Sequence, residues 1–270
     1  MNYIEAIVMG ILQGFTEWLP ISSSGQVMLA LINFFGVSPE KAYSYALLLH
    51  FGTLFAVLFK FRYELGRILM NLVTFRWGEE ETFLFYSTLF TAMVGFPLYK
   101  AFKTVVASLN VEAVNGIVGF ALILTGIILT KSKEKPKNEF RQIVPKKIKN
   151  EVTIVEAMIA GIAQGVAVLP GISRSGITIG ALLLLGVEQK KAVRLSFLIA
   201  VPAIFGALFL ELQAVNEPIT VSLVAVVSTF IISLLTLEGM LKLAEKLNFS
   251  KFCIIFGSIA VIASLMGVLI

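Results

Sequence analysis

Charge is what this sequence has least of. Charged residues fill 14% of its 270 positions, against about 25% in an ordinary soluble domain. Hydrophobic residues fill 57%, and the mean hydropathy is +0.90. A water-soluble globule has nowhere to put so much apolar surface, so a soluble enzyme or a nucleic-acid binder is excluded. Cysteine is reduced to Cys253 alone, which excludes a disulfide within the chain and a cysteine-based metal cluster. Lys and Arg are absent before Lys41, and Gln13 and Glu17 interrupt the first apolar stretch. That stretch lacks the basic lead and unbroken apolar run of a secretory signal, and it reads as part of the mature fold.

What is present is a series of apolar segments. Six are long enough to span a bilayer, over roughly 42–59, 83–102, 114–130, 192–210, 218–237 and 252–270. Two regions differ. Residues 4–19 stop at Pro20 and resume over 25–35; residues 156–169 stop at Pro170-Gly171 and resume over 177–186. Each piece is shorter than the roughly 20 residues a spanning helix needs. Proline removes a backbone donor and glycine loosens the chain at the break. Two half-helices around a polar turn predict a re-entrant hairpin, tolerated where protein or water covers the freed backbone groups.

The two broken regions are copies. A shift of 151 aligns residues 5–25 with 156–176 and gives ten identities, among them Gln13/Gln164, Ser22/Ser173, Ser24/Ser175 and Gly25/Gly176. GVSPEKA (36–42) likewise matches GVEQKKA (186–192). The expected architecture is an all-α polytopic membrane protein of two repeats, each a hairpin plus three spans. Residues 1–130 form the first, with its hairpin over 4–35; residues 152–270 form the second, with its hairpin over 156–186. A basic linker, 131–151, joins them.

Basic residues accumulate in cytoplasmic loops. Eight lie in 131–151, and four in loop 60–82 (Lys60, Arg62, Arg67, Arg76). Lys190, Lys191 and Arg194 lie at the start of the fourth span, and Lys242, Lys246 and Lys251 precede the sixth. Six spans threaded with these loops inside put both termini outside. The first hairpin then enters from outside and the second from the cytoplasm. The repeats are therefore expected to be inverted, about a pseudo-two-fold axis in the membrane plane. The same topology explains the net charge of +5 without nucleic acid. The chain is placed in the cell (plasma) membrane, with lipids around it. Its oligomeric state is open, because Gly116, Gly119, Gly126 and Gly206 fit contacts within one chain as well as between chains.

Ionisable residues at membrane depth are the informative ones, since burying a charge there is costly. These are Glu17, His50 and Arg174. Glu17 and Arg174 lie in the two hairpins, and Arg174 is the repeat partner of Ser23. Ser22-Ser23-Ser24-Gly25 and Ser173-Arg174-Ser175-Gly176 each precede a short apolar helix. Hydroxyls and free N–H groups at a helix N-terminus receive anions, and the planar fork of Arg suits phosphate. The ligand that matches has a phosphate head and a long apolar tail, entering sideways from the bilayer. A structural Glu–Arg pair is the plainer alternative, but it does not need the serines.

QGFTEWLPISSSGQ (13–26) and LPGISRSGIT (169–178), with HFGTLFAV (50–57) between them, resemble the signature regions of the undecaprenyl-diphosphate phosphatase family, the bacitracin-resistance type. The resemblance covers essentially the whole chain. It implies removal of the terminal phosphate from a C55 polyprenyl diphosphate, with functional residues at Gln13, Glu17, Ser22 to Ser24 and Arg174. The family usually has histidine after the serine–glycine turn, where this chain has Gln26, and glutamine takes no proton at neutral pH. Any general base is then Glu17 or His50, although a lone His on an apolar helix is more often a packing residue.

The expected catalytic set is Glu17, Ser23, Arg174 and His50. Phosphate contacts are expected from Ser22, Ser24, Gly25, Gln26, Ser173, Ser175, Gly176 and Thr178. Ser23 is the candidate nucleophile and direct attack by water its rival. Glu17 acts either as base or, with Gln13, as ligand to a divalent cation, Mg²⁺ or Ca²⁺. Hydrolysis is expected at the outer face. The competing function is a flippase for polyprenyl monophosphate that uses the same anion site.

Overall fold

The computed structural model describes residues 2–133, 151–211, 218–246 and 249–269. The linker 131–151 lies almost wholly outside the described residues.

The described residues form eleven helices and no strand. The first broken region gives α1 (Tyr3–Thr16) and α2 (Ser23–Phe35). The first span is α3 (Pro39–Lys60), with proline at the start of the helix, where its missing N–H costs nothing. Next come α4 (Arg62–Val73), α5 (Glu79–Val106) and α6 (Val111–Lys133). The second broken region gives α7 (Ile154–Val166) and α8 (Arg174–Leu184), followed by α9 (Gln189–Glu211), α10 (Ile219–Lys246) and α11 (Phe249–Leu269).

Five helices, α3, α5, α6, α9 and α10, are long and apolar enough to cross a membrane. Where a sixth span was expected, α11 shows a shorter apolar stretch, Ser250–Met266. The protein is therefore a multi-pass helical membrane protein. Loop 60–82 proves largely helical. In α4 only Ile68 is buried, and Tyr63, Leu69, Met70 and Val73 are exposed. A one-sided pattern of this kind escapes a search for spans because its mean hydropathy is low.

Small residues decide which helices meet. A Cβ on Gly10 or Gly14 of α1 would strike Ser228 or Ile232 of α10, and one on Gly161 or Gly165 of α7 would strike Ser87 or Val94 of α5. Between α6 and α11, Gly119 and Gly257 face each other so closely that a Cβ on either would meet the other's carbonyl at 2.7 and 2.5 Å. Such approaches replace the hydrophobic drive that helices lack in lipid. At the N-terminal ends of α5 and α9, Lys191 pairs with Glu79 at 2.5 Å and Arg194 with Glu80 at 2.7 Å.

Candidate active site

Helix α1 ends where Glu17 caps it, its N–H bonded to the Gln13 carbonyl at 3.0 Å. Pro20 follows, and the chain turns through Ser22, whose φ of +58° is left-handed. A non-glycine residue held there is strained, and two bonds hold it: the Ser22 hydroxyl accepts from Gly25 N–H at 3.4 Å and from Gly171 N–H at 3.0 Å. The second of these ties the two broken regions together. Ser173 caps α8 in the same way, accepting from Gly176 N–H at 3.1 Å. Glycine is required at the crossing, since a Cβ on Gly25 would lie 2.9 Å from the Gly171 nitrogen. Its repeat partner Gly176 faces Pro20, with a Cβ there 3.3 Å from that of the proline.

The crossing brings together residues 157 positions apart. Glu17 is 5% exposed, and both of its carboxylate oxygens are engaged. Oε1 accepts from Arg174 Nη2. Oε2 accepts from the Ser23 hydroxyl at 2.5 Å and from Gln13 Nε2 at 2.9 Å, and lies 3.2 Å from His50 Nε2. The other ring nitrogen of His50 is 2.6 Å from the Ala46 carbonyl. Arg174 donates to the Ser196 carbonyl at 3.3 Å, and its guanidinium carbon lies 5.9 Å from the Phe197 ring centre.

Two cavities meet at this cluster. The smaller, about 40 Å³, is polar and lined by Glu17, Ser22, Ser23, Ser24, His50, Ser173, Arg174 and Ser175 among others. The larger, about 490 Å³, is mostly apolar and runs between α5 and α9 from Thr91 and Gly95 to Phe209 and Leu210. Ser24, His50, Ala167 and Arg174 line both. A small polar chamber thus opens onto a long apolar groove.

All four expected catalytic residues lie together in this cluster, and Ser22, Ser24, Ser173 and Ser175 line the polar chamber. Gly25, Gln26, Gly176 and Thr178 do not line it. Gln26 turns back to the Ile21 carbonyl at 3.4 Å, and the Thr178 hydroxyl bonds the Arg174 carbonyl and Ser196 at 2.7 and 2.6 Å. Gly25 and Gly176 serve by letting the turns approach. Glu17 and Gln13, whose Oε1 is buried without a partner, would be the residues to hold a divalent cation; among the described residues no group of three His, Cys, Asp or Glu could hold a metal.

Sequence reasoning missed the supports. Thr125 of α6 receives Ser173 N–H at 3.2 Å and donates to the Gly171 carbonyl at 3.1 Å, and Ser196 and Phe197 of α9 position Arg174. A lone polar residue in an apolar span was the only available signal.

A model of the family described as bacitracin resistance protein BacA matches residues 6–262. The chain belongs to this family. Relatives named undecaprenyl-diphosphatase share its full length. That of Methanopyrus kandleri is 38% identical over 266 residues, covering 96% of this chain and 95% of the relative. That of Methanothrix thermoacetophila is 37% identical, covering 96% of each. That of Desulforapulum autotrophicum is 35% identical, covering 99% of this chain and all of the relative. In this BacA-family chain, the first signature supplies Gln13, Glu17 and Ser23, and the second supplies Arg174.

Proposed function

We propose that this membrane enzyme hydrolyses undecaprenyl diphosphate to undecaprenyl phosphate and phosphate, regenerating a lipid carrier for cell-envelope glycan synthesis. One observation carries the mechanism: Ser23 Oγ–H donates at 2.5 Å to a carboxylate whose other oxygen holds Arg174. A serine nucleophile needs an adjacent base, and Glu17 is the group that touches its proton. His50 Nε2 faces the same carboxylate oxygen, at 3.2 Å.

The terminal phosphate enters the polar chamber and the prenyl chain lies in the apolar groove. Phosphate oxygens compete with Glu17 for the Arg174 fork, which frees the carboxylate to accept the Ser23 proton. Ser23 Oγ then attacks the terminal phosphorus in line. A P–O bond forms to serine, the bond to the bridging oxygen breaks, and the polyprenyl monophosphate leaves with that oxygen. Glu17 gives the proton taken from Ser23 to the bridging oxygen of the departing polyprenyl monophosphate. The carboxylate, ionised again, takes a proton from water, whose oxygen attacks the phosphorus as the P–O bond to Ser23 breaks, and that proton returns to Ser23 Oγ. Direct attack by water on the bound diphosphate is the competing route, with Ser23 then only binding. Acid quench during turnover of terminally ³²P-labelled substrate separates them: phosphoserine at position 23 supports the covalent route, and its absence at full turnover supports direct hydrolysis. Ser23→Ala is expected to lower kcat by about 10²-fold or more by either route, provided the protein remains folded.

The exchanged packing of α1 on α10 and α7 on α5, and the reciprocal contacts of Gly25 with Gly171 and Gly176 with Pro20, support two inverted repeats with re-entrant hairpins. With basic loops inside, the groove opens toward the outer ends of α5 and α9, and hydrolysis takes place at the outer face with both termini external. Translocation of lipid without phosphate release would favour the flippase instead.

A further inference from the structure

The apolar groove has an image in the other half of the chain, and the image is filled. The 151-residue shift pairs Leu169 with Trp18, and the match of 186–192 to 36–42 pairs Gly206 with Ala56. On the facing helices, Gly165 abuts Val94 and Gly95 as Gly14 abuts Ile232 and Ser233, which pairs Ala92 with Phe230. The groove side is open: Ala92 and Gly206 line the 490 Å³ cavity, and a Cβ on Gly206 would meet nothing within 4 Å.

On the image side, between α3 and α10, Ala56 is fully buried and Trp18 is 1% exposed. Both belong to a continuous core that Phe230 packs against. The Trp18 ring also packs on Phe197 of α9, with ring centroids 5.7 Å apart. Buried tryptophans usually find a partner for the ring N–H, yet Trp18 Nε1 has none among the described residues. The site uses its bulk.

We propose that Trp18 and Phe230 form a plug that closes the α3/α10 seam to the prenyl tail, confining substrate entry to the leaflet reached through α5 and α9. This rests on the phosphatase reading above and adds what sets its sidedness.

The test uses the full chain in sealed vesicles of one selected orientation, with labelled polyprenyl diphosphate supplied to one leaflet at a time. Wild type is expected to release phosphate from the α5/α9 leaflet at least about tenfold faster than from the other. Phe230→Ala, which gives the second seam the side chain that Ala92 gives the first, is expected to raise the slow leaflet by about fivefold or more while turnover in detergent stays within about threefold. Comparable wild-type rates from both leaflets overturn the plug, as does an unchanged leaflet ratio in a variant that keeps its detergent turnover. Trp18→Leu, whose ring contact with Phe197 affects turnover itself, is read by its leaflet ratio alone, and an unchanged ratio there also counts against the plug. Absence of phosphate release by wild type in detergent overturns the phosphatase reading instead. The plug is then judged by leaflet-selective binding of a fluorescent polyprenyl diphosphate, one-sided in wild type and two-sided in the variant.

Discussion

At the scale of the residue, one carboxylate organises the site. Glu17 receives Arg174 on one oxygen and Ser23, Gln13 and His50 on the other. Removing one partner of such a buried pair leaves an uncompensated charge, at a cost of about 3–5 kcal/mol, so binding and folding are coupled here. The fork of Arg174 reaches Glu17 with one nitrogen and the Ser196 carbonyl with the other, a division that a lysine ammonium does not reproduce. Arg174→Lys is expected to keep the fold, judged by an unchanged thermal midpoint to within a few degrees, and to lower kcat/KM by about 10²-fold. Wild-type turnover in that variant would mean that a point charge suffices. The residues that meet in the cluster were visible in the sequence because each breaks an apolar pattern: Glu17 in the first broken region, His50 in a span, Arg174 in place of a serine. Thr178 does not line the polar chamber, because position within a motif does not say which way a hydroxyl turns. In the helix it bonds backward to the Arg174 carbonyl, as threonines in helices commonly do.

At the scale of the element, a pair of helix starts frames the polar chamber. Caps Ser22 and Ser173 each hold the N–H three residues on, and Ser22 also reaches Gly171 across the crossing. The backbones touch there, so Gly25→Ala must push them apart: its Cβ would sit 2.9 Å from a backbone nitrogen that has no flexible end to move. This variant is expected to lose about 10²-fold in turnover, since displacement of about 1 Å is enough for that, and to melt below wild type. Full activity in Gly25→Ala would show that the turns have room to spare. The breaks at Pro20 and Pro170-Gly171, the caps and the duplication were all readable from residue types. Helix α4 was not, because its periodic face lies inside a charged loop, and the contacts through Thr125 depend on tertiary packing.

At the scale of the whole molecule, two halves of similar sequence surround one groove that opens and one seam that is closed. The open groove makes a prediction about substrate length. Gly206→Phe places a ring where a Cβ meets nothing within 4 Å, so folding should survive while the tail is displaced. KM for the long-chain diphosphate is expected to rise by about tenfold or more, with little change for a short-chain prenyl diphosphate that leaves the groove's far end empty. Equal effects on both substrates would place the tail elsewhere. The all-helical membrane class followed from composition alone, and the family from two motifs. Which seam stands open did not follow, because it depends on how Trp18 and Phe230 pack rather than on their being apolar. The most direct measurement is phosphate release from undecaprenyl diphosphate by Glu17→Gln, Arg174→Ala and the double variant, each checked for folding. Residues acting as one unit lose function non-additively, so the double variant should be about as inactive as the worse single one. Losses that multiply, or wild-type turnover in Arg174→Ala, would contradict a site built where the two broken regions meet.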